Sequence, residues 1–166
     1  GLDVKKSEVH GMAQRGGSVN THVRWAAGKV YSPLVSEGEA DILLAFEEAE
    51  ALRYVNYLRQ GGVAVVNRQA IKPITVSSGG AHYPSEEDLR IVYGRVTDRF
   101  YLVPGADLAE ELGNARAANV VLLGALSSFL DVPADTWLAV IETRVPPRYL
   151  ELNRRAFLAG RDAVRG

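Results

Sequence analysis

The sequence predicts an α/β protein: a three-layer α/β/α sandwich with a mostly parallel central sheet and a helical C-terminal subregion. Three observations predict it. Ile42-Leu43-Leu44-Ala45-Phe46 and Val63-Ala64-Val65-Val66 are short continuous apolar runs, the mark of strands buried on both faces. A helical pattern joins them, and strand, helix, strand with short joints is a βαβ unit, with parallel pairing and a right-handed crossover. From Asp107 onward the chain reads as a succession of helices.

The elements follow in order. Val19 to Trp25 alternates, with Val19, Thr21, Val23 and Trp25 on an apolar face expected to be buried and Asn20, His22 and Arg24 on a polar one. Ala27-Gly28-Lys29 then turns the chain, and Lys29-Val30-Tyr31-Ser32 is expected to return as the hairpin partner, ended by Pro33. Glu47 to Gln60 reads as a helix, with Ala49, Leu52, Val55 and Leu58 at near-helical spacing and acids in its first turn. Gly61-Gly62 is read as its stop. Arg68 to Pro84 is irregular, with Ser77-Ser78-Gly79-Gly80 as a loop tip. Ser85, followed by Glu86-Glu87-Asp88, is an N-cap before an acid-rich first turn. Phe100 to Val103 is a third buried strand, closed by Pro104. Asp107–Leu112 and Ala115–Leu130 are helices separated by Gly113-Asn114, Ala134–Thr143 is another, and Pro147 opens a last one running to about Val164. With no internal repeat or linker, residues 1–166 are read as one domain.

Bulk properties exclude several function classes. A net charge of -1 argues against a nucleic-acid or membrane-surface role resting on charge. No apolar run approaches the roughly 18 residues of a membrane helix, and GLDVKKSE has no signal-peptide pattern. Cysteine is absent, so this chain carries no disulfide, thiolate nucleophile or cysteine-bound iron–sulfur cluster, which fits a cytoplasmic setting. Arginine outnumbers lysine fifteen to four, a bias that suits planar-anion recognition or interface use but has its plainer cause in a GC-rich genome.

The densest chemistry lies in His10 to Arg24, HGMAQRGGSVNTHVR. Gly16 and Gly17 permit close approach of another group, and Arg15 beside them is a permanent planar cation suited to carboxylate or phosphate. Gln14, Arg15, Gly16 and Gly17 are therefore the candidate binding turn; a tight turn with Arg15 paired to Glu8 is the plainer alternative. Glu47 and Asn67 fall at the carboxyl ends of the two buried runs, where ligands of open α/β sheets bind. They serve equally well as a first-turn helix residue and a turn former. His10 and His22 lack a third partner at metal-ligand spacing, so no metal site is assigned. There is no Gly-x-Ser-x-Gly elbow and no P-loop. No catalytic residue is assigned.

With its flank Ser7-Glu8-Val9, the same run resembles the gamma-type subunits of 2-oxoacid:ferredoxin oxidoreductases, most of all the small beta-subunit type of the indolepyruvate branch. The resemblance continues through Asp41 to Phe46 with Glu50-Ala51-Leu52-Arg53, through Ala118 to Ala125, and through Asn153, Ala156, Phe157 and Gly160. Members of that family begin with a strand and a glycine-rich turn, and this chain is expected to lack both. The resemblance implies an accessory subunit in a hetero-oligomer, inactive in isolation. Thiamine diphosphate, magnesium and iron–sulfur clusters would reside on partner subunits. The complex would convert a 2-oxoacid, indolepyruvate or another, and coenzyme A to acyl-CoA and carbon dioxide, reducing ferredoxin. Gln14 to Gly17 would then face coenzyme A or the partner's active site. A free-standing nucleotide- or acyl-CoA-binding module without catalysis, and a pure assembly scaffold, are the alternatives. Large exposed apolar patches favour a subunit or scaffold.

Overall fold

The computed structural model describes residues 1–8, 19–71 and 82–165. A three-stranded parallel sheet forms its centre: β3 (Ala40–Ala45), β4 (Leu58–Asn67) and β5 (Phe100–Val103), in that spatial order. β3 and β4 pair as the sequence predicts, Ile42 opposite Val63 and Ala45 opposite Val66. β5 joins the far side of β4, with Ala64 opposite Phe100 and Asn67 opposite Val103.

The period of the strands decides which residues meet which helices. Val63, Val65 and Val103 point to one face. There they pack under α3 (Gly105–Glu111), α4 (Ala118–Ser127) and α6 (Leu150–Asp162) through Ala109, Val121, Leu122, Ala125 and Ala156. Leu43, Ala45, Ala64 and Val66 point to the other face. Their cover is α1 (Glu48–Arg53) and α2 (Glu86–Tyr93), through Ala51, Leu89 and Tyr93. Helices on both faces of a parallel sheet make the expected three layers. α5 (Ala134–Arg144) packs outside α6, where the Trp137 and Phe157 rings stack with centroids 6.3 Å apart.

Local signals explain several boundaries. Ser85 and Asp88 form a reciprocal capping box at the start of α2, and the Ser85 hydrogen bonds hold the Asp88 carboxyl below its usual range. Tyr93 closes that helix from inside the core. Its hydroxyl donates to Ala51 O at 2.7 Å, and burial pushes its ionisation up.

Three expectations need correction. The helix expected over Glu47–Gln60 stops at Arg53, a short 3₁₀ turn covers Val55–Tyr57, and β4 has already begun at Leu58. Tyr54, Val55, Asn56 and Tyr57 are weak helix formers, and the pairing of Leu58 with Ala40 outweighs the apolar spacing. Gly61-Gly62 is therefore no helix stop. It lies in the irregular stretch of β4 between the Ala40–Leu58 and Ile42–Val63 pairs. Gly61 takes φ +69, and a Cβ on Gly62 would stand 2.7 Å from Leu58 Cδ1. The second correction is to the apolar run at Phe46: the strand ends at Ala45, and Phe46 is exposed.

The third concerns the hairpin. β2 (Thr21–Ala26) does not pair with residues 29–32, which form no strand. It pairs antiparallel with the preceding β1 (Asp3–Glu8), Val4 opposite Trp25 and Lys6 opposite Val23, as a separate two-stranded ribbon. Asp3 holds the 29–32 segment instead, accepting from Val30 N at 2.8 Å.

Candidate functional site

Gln14, Arg15, Gly16 and Gly17, and with them His10, lie outside the described residues. So does the Ser77–Gly80 segment. The structure does describe the stem that brackets Gln14–Gly17 in the chain. β1 ends and β2 begins at the Glu8–Thr21 pair, so residues 9–20 connect the two strands of the ribbon.

The ribbon's faces are the reverse of those expected. The polar side chains bond back to the body of the chain, although Arg24 itself stays exposed. His22 is half-buried, its Nδ1 accepts from Val35 N at 2.9 Å, and its ring meets the Tyr57 ring edge-on at 5.5 Å. Arg24 Nη1 donates to Leu34 O at 3.0 Å. The apolar face turns outward: Val4 is 55% exposed, and Val23 and Trp25 are 48% exposed. Alternation marks the two faces of a strand but not which one a two-stranded ribbon presents to the body. Here the backbone groups of residues 34 and 35 supply partners that only polar side chains can meet. His22 is thereby accounted for as a hydrogen-bonded structural residue. Among the described residues no group of three or more His, Asp or Glu is placed to hold a metal ion.

The second candidate locus is the carboxyl edge of the parallel sheet. The structure brings Glu47 and Asn67 to it, both buried. Glu47 follows β3 and caps α1, accepting from Glu50 N at 2.8 Å. It also accepts from Ile71 N at 3.2 Å and from the Tyr83 hydroxyl. A carboxylate with three donors is a structural anchor. The neighbouring Glu48 carries the electrostatic cost: burial, then the Glu47 and Glu86 carboxylates, raise its ionisation above the usual range, against the opposing pull of Arg68.

Asn67 ends β4 and is 1% exposed. Its Nδ2 donates to Phe46 O at 3.1 Å and Gln69 Oε1 at 2.9 Å, and its Oδ1 accepts from Gly105 N at 3.0 Å. One carboxamide thus ties the ends of β3 and β4 to the start of α3. Gly105 has no room for a side chain there, because a Cβ would stand 2.8 Å from Asn67 Oδ1. Asn67→Asp removes two donors and sets a carboxylate oxygen against the Phe46 carbonyl. We expect a loss of about 2–3 kcal/mol and a fall in melting temperature of roughly 4–12 °C, using about 2–4 °C per kcal/mol. A residue kept only for ligand contact would leave the melting temperature in place.

Tyr83 and Gln69, which complete this edge, carry no motif in the sequence. The role of Gln69 arises from the way the chain folds back over the strand ends, where Arg68 N donates to Val103 O and Gln69 O accepts from Glu48 N. No helix among the described residues is long and apolar enough to cross a membrane.

Comparison with known proteins extends this picture. The family model described as pyruvate ferredoxin/flavodoxin oxidoreductase matches residues 1–163. The chain is 44% identical over 168 aligned residues to the indolepyruvate oxidoreductase subunit IorB of Pyrococcus horikoshii, covering 99% of this chain and 83% of that one. Among solved structures it superposes on the gamma subunit of a keto/oxoacid ferredoxin oxidoreductase from Geobacter sulfurreducens with a TM-score of 0.69 at 21% identity, covering 99% of this chain and 79% of that one. It also matches part of the 2-oxoglutarate:ferredoxin oxidoreductase of Magnetococcus marinus, solved with 2-oxoglutarate, coenzyme A and succinyl-CoA bound. The TM-score there is 0.70 at 22% identity, covering 99% of this chain and 26% of that one. These two structures share its fold. With nearly every residue inside the family match, the chain belongs to the pyruvate ferredoxin/flavodoxin oxidoreductase family, in which it is similar to the gamma-type and IorB subunits.

Proposed function

We infer that this chain is the accessory, gamma-type subunit of a 2-oxoacid:ferredoxin oxidoreductase, with indolepyruvate as the favoured 2-oxoacid. The complex takes the 2-oxoacid and coenzyme A to acyl-CoA and carbon dioxide and passes the two electrons to ferredoxin. Thiamine diphosphate, magnesium and the iron–sulfur clusters belong to partner subunits, in keeping with a chain that has no cysteine. A cytoplasmic location goes with that reading.

The observation that supports it most is the ribbon's outward apolar face. Val4, Val23 and Trp25 spend about half their surface on solvent, on the face of a two-stranded ribbon opposite the one whose His22 and Arg24 bond back to the body. Exposed apolar surface of this kind marks a contact site. The relatives are named as subunits, which makes the partner subunit the occupant. Gln14, Arg15, Gly16 and Gly17 join the two strands of that ribbon, so docking it would bring them to the partner. We propose that they face coenzyme A or the partner's active site, a role tested by the coenzyme A dependence of Arg15→Ala in the assembled complex.

The overall reading is tested by reconstitution. The purified chain alone should reduce no viologen with indolepyruvate and coenzyme A. Reduction should appear when the thiamine-bearing subunit is added, and should be lost when this chain is left out. Robust turnover by the chain alone would refute the subunit role.

A further inference from the structure

Among the described residues three buried side-chain polar atoms have no hydrogen-bond partner in the chain: Ser128 Oγ, Trp137 Nε1 and Arg161 Nε. They belong to one corner of the molecule, where the end of α4, the first turn of α5 and the end of α6 meet around Phe157. The Trp137 ring stacks on the Phe157 ring at 6.3 Å, and the Arg161 guanidinium carbon stands 5.9 Å from the same ring centroid. Arg161 Nη1 donates to Ser127 Oγ at 2.8 Å, and Ser128 is the next residue in the chain.

Arg161 differs from the rest of its kind. Every other described arginine without an ion pair is exposed, whereas Arg161 is half-buried with its Nε covered. No carboxylate among the described residues lies within ion-pair distance of it. Residues 9–18, 72–81 and 166 contain no Asp or Glu, so no acidic side chain of this chain is its counterion. A guanidinium cannot shed its proton, and a charge drawn partly out of water without a counterion is costly. Ser127 and the Phe157 ring offset part of that cost. What the corner lacks is an acceptor: the indole and the guanidinium only donate, and the charge of Arg161 suits an anionic oxygen.

The surroundings point to a protein as its source. Leu158, three residues before Arg161 and so on the same side of α6, is 45% exposed. Val140 stands in the same relation to Trp137 on α5 and is 53% exposed. Val132, in the turn between α4 and α5, is 37% exposed. A half-buried arginine with exposed apolar neighbours is the composition of an interface centre rather than of a site for a free ion. We propose that this corner is a second docking surface for the thiamine-bearing subunit, which seats an acidic side chain on Arg161 and covers Leu158 and Val140. The proposal rests on the subunit reading and shares no residue with the ribbon.

The test is titration of the thiamine-bearing subunit with the full chain and its variants, with thermal unfolding of each free chain. Arg161→Met should weaken the complex by roughly tenfold or more, from the loss of a charge-assisted contact. The free chain should melt within about 2 °C of wild type, because the variant removes a charge that has no counterion there. Arg161→Lys keeps the charge without the planar fork and should fall between the two in affinity. Arg155→Gln, which removes an exposed arginine from the same helix, should leave affinity within about twofold. If wild-type chain binds and Arg161→Met binds within about twofold of it, the docking proposal is overturned while the subunit reading stands. Equal weakening by Arg155→Gln, or a fall of more than about 4 °C in the melting temperature of Arg161→Met, would overturn it too, marking a diffuse charge effect or a purely structural arginine. No binding by the wild-type chain would overturn the subunit reading and this proposal with it.

Discussion

Gly160→Ala should destabilise the chain by about 3 kcal/mol or more, at the upper end of what overpacking costs, and lower its melting temperature by roughly 6–12 °C. The reason is the closeness of α4 and α6. A Cβ on Gly160 would stand 1.8 Å from Val121 O, and one on Gly124 would stand 2.0 Å from Phe157 O. These are backbone atoms of the opposing helix, so no rotamer change relieves the contact. The helices must separate, opening the core around Val121, Ala125 and Ala156. Alanine gains about 1 kcal/mol in helix propensity over glycine, which the clash exceeds. Gly124→Ala should behave alike. Gly28→Ala, where nothing lies within 4 Å of the added Cβ, should change stability little. Thermal unfolding of the three variants side by side checks this, and equal melting temperatures would contradict the packing account.

The second large effect belongs to the ribbon. Trp25→Thr keeps a residue of high strand propensity in β2 while deleting the largest apolar side chain of its outward face. If that face docks on the partner subunit, the indole is an anchor of the kind whose loss costs about 2 kcal/mol or more, roughly thirtyfold or more in affinity. The chain's own melting temperature should shift by no more than about 2 °C, because the side chain lies half in solvent and outside both core clusters. Titration of the partner with wild-type and variant chains measures the first quantity, and thermal unfolding of each chain the second. Affinity within about twofold would mean that the face is ordinary surface.

Much of the central sheet was legible in the sequence, for a physical reason. Strands buried on both faces must be apolar at every position, and Val63 to Val66 and Phe100 to Val103 have little alternative. The Ser85–Asp88 cap was legible because its chemistry is local. What failed depended on tertiary context. Gly61-Gly62 suits a helix stop or a strand irregularity equally well, and the pairing of Leu58 with Ala40 decides for the strand. The partner of β2 lies upstream in β1, where Asp3-Val4-Lys5-Lys6-Ser7-Glu8 shows one apolar residue and no alternation.

The candidate site was legible in part. The positions of Glu47 and Asn67 at the strand ends follow from topology alone, but their saturation by Tyr83, Ile71, Gln69 and Gly105 does not. That saturation turns them from ligand candidates into anchors. Ala118 to Ala125 and Asn153 to Gly160 carried family resemblance without a visible cause. The structure supplies one, since Gly124 and Gly160 are the points where α4 and α6 touch backbone to backbone.

The claim that joins these results is that the chain works as a subunit through its ribbon. Hydrogen exchange of the chain, free and bound to the thiamine-bearing subunit, tests it most directly. The account predicts that amides of Asp3–Glu8 and Thr21–Ala26 exchange at least tenfold more slowly in the complex, while those of α2 keep their free rates. A complex that forms with ribbon exchange unchanged, its protection lying elsewhere, would contradict it.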